Sequence, residues 1–289
     1  MSLPAVVAEL VEAITGQAPV AASAVAGGCI NQAARVQTAT GALFVKWRSG
    51  SPPGFFEVEA DGLRRLAETG TVRVPAVLGF RDGGACGAIA MRWIEPGPST
   101  GSAMADAGRR LARLHGERGL DPGLARDNVI GALPQPNEAR PAERWLPFFR
   151  RQRVGALASG LSPRVRRKLE AFPFERFLDE PEGGCALLHG DLWSGNLVCD
   201  ADGGGWLVDP AVYAGHPEVD LAMTRLFGGF APAFYDAYQE VAGPLDREWL
   251  DRAEVLNLYP LLVHVHLFGG GYERQVEAVL DRFGGGGAR

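Results

Sequence analysis

Residues 187–210, LLHGDLWSGNLVCDADGGGWLVDP, bring oxygen-bearing side chains to the ends of two apolar stretches. His189-Gly190-Asp191 follows the first stretch, Asn196 comes after four intervening residues, and Asp209 follows the second, WLV. Two acids and an amide so placed are poor core formers, because an unpaired carboxylate in an apolar interior is strongly disfavoured. They suit phosphoryl transfer. A carboxylate can hold a nucleophilic hydroxyl in line with a phosphorus and accept its proton late, a role that fits Asp191. The hard cation that neutralises phosphate charge prefers carboxylate and amide oxygens, which makes Asn196 and Asp209 candidate Mg²⁺ ligands. The D-x-x-x-x-N spacing is that of a kinase catalytic loop. A lone H-x-D or D-P would say little, whereas the whole constellation is specific.

A phosphoryl donor such as ATP needs its own grip. Lys46 lies in the strand-like LFVKW, the setting of a lysine that contacts the α- and β-phosphates, and Glu59 in the next segment can pair with it. Glu57 is a rival for that pairing, and an edge-strand surface lysine is the alternative reading of Lys46 taken alone. Upstream, Gly27-Gly28-Cys29-Ile30-Asn31 could form a glycine turn whose backbone N–H groups cover the phosphates. It is not G-x-G-x-x-G, and an ordinary hairpin fits it equally well. Cys29 there would lie near the nucleotide, where oxidation could reshape the site; a packed small hydrophobe is the plainer reading.

The elements that must position these residues divide the chain near Glu95 to Pro98. Before that point MSLPAVVAELVEAITG reads as a short amphipathic helix, and ARVQTATGALFVKWR as two strands turning at Thr40-Gly41. FFEVEADGLRRLAETG reads as a helix with Phe56, Leu63, Leu66 and Ala67 near helical spacing and a stop at Gly70. VPAVLGF and GAIAMRWIE complete a small antiparallel lobe as two more strands. After the EPGPS hinge, AMADAGRRLARLHGE is amphipathic, with Arg109, Arg110 and Arg113 opposite Leu111 and Leu114. RWLPFFRRQRVGALA and SPRVRRKLEAF read as further helices whose arginines form a solvated face. CALLHG and GWLVDP are short buried strands, the rest from PEVDLAM onward is mostly helix, and the terminal glycines are a frayed tail. The fold class is therefore α+β, with a nucleotide-binding lobe over 1–96 and a larger, mainly helical catalytic and substrate-binding lobe over 97–289.

Composition agrees. The chain has 289 residues, enough for two lobes with a ligand cleft. With 46% hydrophobic residues and a net charge of −5, a disordered chain or a nucleic-acid binder is disfavoured. No stretch has the length of a membrane span, no signal peptide is evident, and the four cysteines lack a C-x-x-C pair, so a cytoplasmic protein with reduced thiols is expected.

With these residues in view, the chain resembles the fructosamine-3-kinase or ketosamine-3-kinase family, relatives of the aminoglycoside and choline kinases. The resemblance rests on GGCIN, LFVKW, FFEVEADGL, LARLHG, DNVIGALPQPN, HGDLWSGN, DPAVY, LFGGF and LLVHVHLFGGGY and covers nearly the whole chain. It implies a two-lobed protein-kinase-like fold and ATP- and Mg²⁺-dependent phosphorylation at the 3-hydroxyl of a ketose-amine adduct, on a protein or a free amine. A phosphate next to the C2 carbonyl can then be eliminated and the amine released, which is deglycation. Under this resemblance Asp191 is the base, Asn196 and Asp209 hold the metal, Lys46 contacts the phosphates with Glu59 as its partner, and Trp193 and His264 are candidates for the substrate pocket.

Several positions stay open. Trp193 fits stacking on the ketose or loop packing, and His264 a substrate contact or a satisfied core histidine; Asp220 fits a helix cap or a brace for the catalytic loop. After DPAV the chain reads Tyr213-Ala214-Gly215-His216-Pro217-Glu218 where many members have an acidic, arginine-containing run, which bears on the pocket rim; His216 reads as a turn residue. Arg92 stands where an acidic residue is common. A kinase of the same fold acting on an aminoglycoside, choline or a sugar is one alternative, and a nucleotide-binding regulator without turnover is another. Monomer and homodimer are both compatible with the sequence.

Overall fold

A computed structural model describes residues 1–25 and 31–285. Gly27, Gly28 and Cys29 lie outside the described residues. In chain order the elements are α1 (Ala5–Thr15), β1 (Ala21–Ala24), β2 (Gln32–Thr38), β3 (Gly41–Ser49), α2 (Phe55–Glu68), β4 (Val77–Arg81) and β5 (Cys86–Arg92). There follow α3 (Gly101–Gly116), β6 (Asn128–Ile130), β7 (Leu133–Gln135), α4 (Trp145–Phe148), α5 (Pro163–Glu170), β8 (Ala186–Leu188), β9 (Leu197–Cys199), β10 (Gly205–Leu207) and β11 (Tyr213–Gly215). The described residues end in five helices: α6 (Glu218–Leu226), α7 (Pro232–Ala242), α8 (Trp249–Leu256), α9 (Leu258–Phe268) and α10 (Gly271–Gly284). The described residues form two compact units, one of Met1–Leu111, Gly195–Ala211 and Ala231–Tyr238, the other of Ala112–Ser194, Val212–Phe230 and Gln239–Arg289.

In the first unit β1 to β5 make an antiparallel sheet in the order β1-β2-β3-β5-β4. The β2–β3 turn falls at Thr38–Gly41 as the sequence indicates. Side chains alternate along β3, so Leu43, Val45 and Trp47 enter a core with Val7, Leu10 and Val11 of α1, while Lys46 emerges on the other face. Because β3 is the middle strand, with Ala33 and Ile89 opposite Lys46, the lysine is not on an edge. α2 buries Phe56, Glu59, Leu63 and Leu66, one stripe at helical spacing that includes the acid. β9 and β10 form a separate hairpin in this unit. Asp200 fixes its turn by accepting the N–H groups of Asp202 and Gly204 and the Trp206 indole N–H.

The second unit is mainly helical, with two short antiparallel ribbons, β6–β7 and β8–β11. The apolar strands expected to bracket the chemistry are thus β8 and β10, each paired in its own ribbon rather than with the other. RWLPFFRRQRVGALA departs from the expected single helix: α4 gives way to a π-helical turn over Phe149–Val154 and a 3-10 turn over Gly155–Gly160. The wide turn accompanies an inward-facing arginine. Arg153 is fully buried and donates to Pro136 O at 2.6 Å and Asn137 Oδ1 at 2.6 Å. Its guanidinium lies 3.8 Å from the Tyr213 ring centroid and 4.9 Å from that of Phe148. The expectation of a solvated basic face therefore fails at Arg153, where aromatic faces and carbonyl oxygens replace water. It holds for Arg150 and Arg164, which make exposed ion pairs with Glu175 and Glu277. α10 runs through Gly284, the first of the terminal glycines expected to fray, and the residues after Gly285 lie outside the described residues.

Candidate active site

Lys46, Glu59 and Asp209 converge in the first unit. Lys46 Nζ donates to Asp209 Oδ1 at 2.8 Å and lies 2.6 Å from Glu59 Oε1, the latter an ion pair without good hydrogen-bond alignment. Of the two candidate acids, the one paired with Lys46 is Glu59, as its place on the buried stripe of α2 indicates. Burial pulls the lysine pKa down, but the carboxylates of Asp209 and Glu59 overcome it, and the ammonium is held above its ordinary range. Glu59 moves the other way from an ordinary ion-paired acid. Burial pushes it up to about 7, against the pull of Lys46 and with the help of the Asp209 and Asp82 carboxylates. With both acids ionised, one cation shared between them leaves a net negative charge, the condition in which a further cation is welcome.

Asp209 sits just past β10 with φ 53°, a left-handed conformation uncommon for a residue other than glycine. Its side chain is 36% exposed, unlike the buried Lys46 and Glu59, so this end of the cluster is open to solvent. Asn196 closes the 3-10 turn before β9; its carbonyl accepts the Val208 N–H at 3.0 Å and its Nδ2 approaches Asp209 O at 3.5 Å. The β9–β10 hairpin thus brings Asn196 beside Asp209. Among the described residues no group of three or more His, Cys, Asp or Glu forms a cage for a metal. An acid and an amide suffice for a cation such as Mg²⁺ that keeps waters and phosphate oxygens in its shell.

In the second unit His189-Gly190-Asp191 leaves β8 over a buried carboxylate. Asp220 Oδ2 accepts the His189 N–H at 2.7 Å and Oδ1 the Gly190 N–H at 2.8 Å, while His115 Nε2 lies 3.2 Å from Oδ2. Burial would raise the Asp220 pKa, but the hydrogen bond and charge of His115, together with His189 and the Gly190 N–H, hold it below the ordinary carboxylate range. Asp220 is therefore the brace of the loop, one of the two readings open in the sequence. Asp191 accepts the Trp193 N–H on its carbonyl oxygen at 3.2 Å, and its own N–H donates to His189 Nδ1 at 3.3 Å.

Beside this loop is a chain of aromatic rings. Trp193 meets Phe227 edge-on at 6.2 Å, and His264 packs 4.8 Å from Phe227 and 4.9 Å from Tyr272. His264 Nδ1 lies 2.7 Å from Pro260 O, which can only accept, so Nδ1 carries the proton. Burial lowers the His264 pKa, which leaves the ring neutral at pH 7 with Nε2 as an acceptor. The LFGGF segment explains itself here: Gly229 has φ 93°, and a Cβ on it would come within 2.5 Å of Ser194 Cβ. Only glycine lets this loop lie on the turn at Ser194, three residues past Asp191.

The structure thus joins Lys46, Glu59, Asn196 and Asp209 in one unit, and Asp191, Trp193 and His264 in the other. His216 takes the turn reading, its Nδ1 accepting the Glu218 N–H at 3.1 Å, with its ring 5.1 Å from Trp145. Burial, with Arg118 and Arg252 nearby, pushes its pKa down to about 3. Sequence reasoning passed over His115 and Phe227. His115 had a signal, lying at helical spacing from Leu111 on an apolar stripe; Phe227 had only its place in LFGGF.

The sequence model of the fructosamine kinase family matches residues 4–284. A protein of Enterococcus faecium named as a probable ketoamine kinase is 40% identical over 269 residues, covering 90% of this chain and 94% of its own. A chloroplastic protein-ribulosamine 3-kinase of Arabidopsis thaliana is 36% identical over 275 residues, covering 90% of this chain and 81% of its own. A crystal structure from Thermobifida fusca, described as a candidate fructosamine-3-kinase, superposes with a TM-score of 0.81 at 33% identity and covers 95% of this chain and 97% of its own. An aminoglycoside phosphotransferase crystallised with AMP-PNP and hygromycin B gives a TM-score of 0.63 at 14% identity, covering 98% of this chain and 100% of its own, and shares the fold.

Proposed function

The chain belongs to the fructosamine kinase family, and from that premise we propose that it transfers the γ-phosphoryl group of ATP to the 3-hydroxyl of a ketosamine. The protein-kinase-like fold, with its antiparallel sheet and helical remainder, is the scaffold. The observation that carries the reading is the Lys46–Glu59–Asp209 cluster, a buried lysine on β3 shared by an acid of α2 and an acid just past β10, in a chain that the fructosamine kinase family matches nearly end to end.

In this reading Lys46 contacts the α- and β-phosphates and Glu59 holds it there. Gly27 and Gly28 are assigned to the same nucleotide on the sequence pattern alone. Asn196 and Asp209 would hold Mg²⁺, which when bound neutralises charge on the phosphate oxygens. Asp191 orients the 3-hydroxyl and accepts its proton as the bond from that oxygen to the γ-phosphorus forms. The bond from the γ-phosphorus to the bridging oxygen breaks, and ADP leaves with the electron pair. Asp220 keeps the loop that carries Asp191 in one conformation. Trp193 lies against the apolar face of the ketose, and the neutral His264 offers Nε2 to a sugar hydroxyl. Functionally, residues 1–96 serve the nucleotide and 97–289 the acceptor and catalysis, with 195–211 contributing the proposed metal ligands from within the latter stretch.

The test is ADP release with ribulose-, erythrulose- and fructose-amine adducts beside choline and kanamycin. At least one ketosamine should be turned over well above choline and kanamycin, and Asp191→Asn should lose at least about a hundredfold in kcat while still binding ATP. Preference for kanamycin or choline, or equal turnover by wild type and Asp191→Asn, would overturn the assignment.

A further inference from the structure

α2 has no cap of its own. Its N-cap residue, Gly54, has no side chain and a left-handed backbone with φ 80°. The first N–H groups of a helix lack partners within it and must find acceptors elsewhere. They find them on Asp82, in the turn between β4 and β5. Asp82 Oδ1 accepts the Phe56 N–H at 2.9 Å and Oδ2 accepts the Glu57 N–H at 2.6 Å. Both carboxylate oxygens are used on successive N–H groups, with the anion at the positive end of the helix dipole. The same end of α2 is seated closely on the sheet: a Cβ on Gly87 of β5 would come within 2.8 Å of Ser51 Cβ and 3.0 Å of the Phe56 ring.

Glu59 follows Phe56 by three residues, a rise of about 4.5 Å along the helix. No flexible segment separates the capped turn from the acid, so the placement of that turn is passed directly to the carboxylate that faces Lys46. We propose that Asp82 is a positioning residue for the phosphotransfer reaction: by gripping the start of α2 from the β4–β5 turn, it sets Glu59 against Lys46. This inference rests on the reading of Lys46 and Glu59 as the nucleotide grip.

The experiment compares wild type, Asp82→Ala, Asp82→Asn and Glu59→Gln in steady-state kinetics, varying ATP and the ketosamine separately. Asp82→Ala should raise KM for ATP about fivefold or more, with KM for the ketosamine within about twofold of wild type. Asp82→Asn, which keeps one oxygen to accept an N–H, should fall between, and Glu59→Gln should show the same selective rise. A purely structural role would give a lower melting temperature and less active enzyme with both KM values unchanged in Asp82→Ala and Asp82→Asn. That result, with Glu59→Gln still raising KM for ATP, would overturn the inference alone. Glu59→Gln leaving KM for ATP unchanged would instead overturn the nucleotide reading beneath it. Should Asp82→Ala fail to fold, Asp82→Asn decides on the same two KM values.

Discussion

Glu59 and Asp220 are both carboxylates withdrawn from water, 8% and 1% exposed, yet their partners differ in kind. Asp220 receives two backbone N–H groups and a histidine, and it is more acidic than an ordinary aspartate. Glu59 faces a single ammonium that it shares with Asp209, and it is less acidic than an ordinary glutamate. Backbone donors cannot be titrated or moved away, so an acid saturated by them is fixed structure. A shared cation leaves charge unbalanced, and the imbalance is what a metal-bound nucleotide can use. Burial alone does not separate a structural brace from an acid left with unbalanced charge; the nature of the donors does.

The comparison is sharpest where the brace is removed. Asp220→Ala strips the acceptor from two buried N–H groups and should cost about 3–5 kcal/mol in urea unfolding, with activity falling only as the folded population falls or the loop loosens. A loss below about 1 kcal/mol would show that Asp220 is not the anchor that its hydrogen bonds indicate. Glu59→Gln should behave oppositely, keeping a melting temperature within about 4 °C of wild type while KM for ATP rises about tenfold. Equal losses of stability in the two variants would erase the distinction.

The two acids also predict opposite slopes with pH. Asp220, with a depressed pKa, contributes stability that is present above its unfolded value of 3.8 and lost as the pH falls below it. Glu59, raised from 4.5 to about 7, contributes stability that is fully present below 4.5 and lost as the pH rises through about 7. The stability of wild type relative to Glu59→Gln should therefore decline between these values, by at most about 1.4 kcal/mol per pH unit. Relative to Asp220→Asn it should decline only on strong acidification. Chemical denaturation at a series of pH values reads both, and slopes of the same sign would break the account.

Much of this was legible in the residues because it is local. The D-x-x-x-x-N spacing, the alternation that turns Lys46 away from Leu43, Val45 and Trp47, and the helical spacing of Phe56, Glu59, Leu63 and Leu66 all follow from short-range geometry. Contacts distant along the chain were not legible. Nothing in RDGG indicates that Asp82 caps a helix 26 residues earlier, and nothing in RRQRV marks Arg153 as the arginine that turns inward, since the aromatic faces around it come from Phe148, Tyr213 and Tyr259. Asp220 lay between, its acidic type suiting a cap or a brace until the N–H groups it receives were located. His264 likewise needed the Pro260 carbonyl and the Phe227 and Tyr272 rings to define its proton and its face.

The central claim is that the unbalanced charge on Lys46, Glu59 and Asp209 is completed by a divalent cation together with ATP. Calorimetric titration of ATP into wild type and Asp209→Asn, each with and without magnesium, tests it directly. Wild type should bind at least about tenfold more tightly with magnesium present, and Asp209→Asn should show little difference between the two conditions. The same magnesium dependence in both proteins would contradict it.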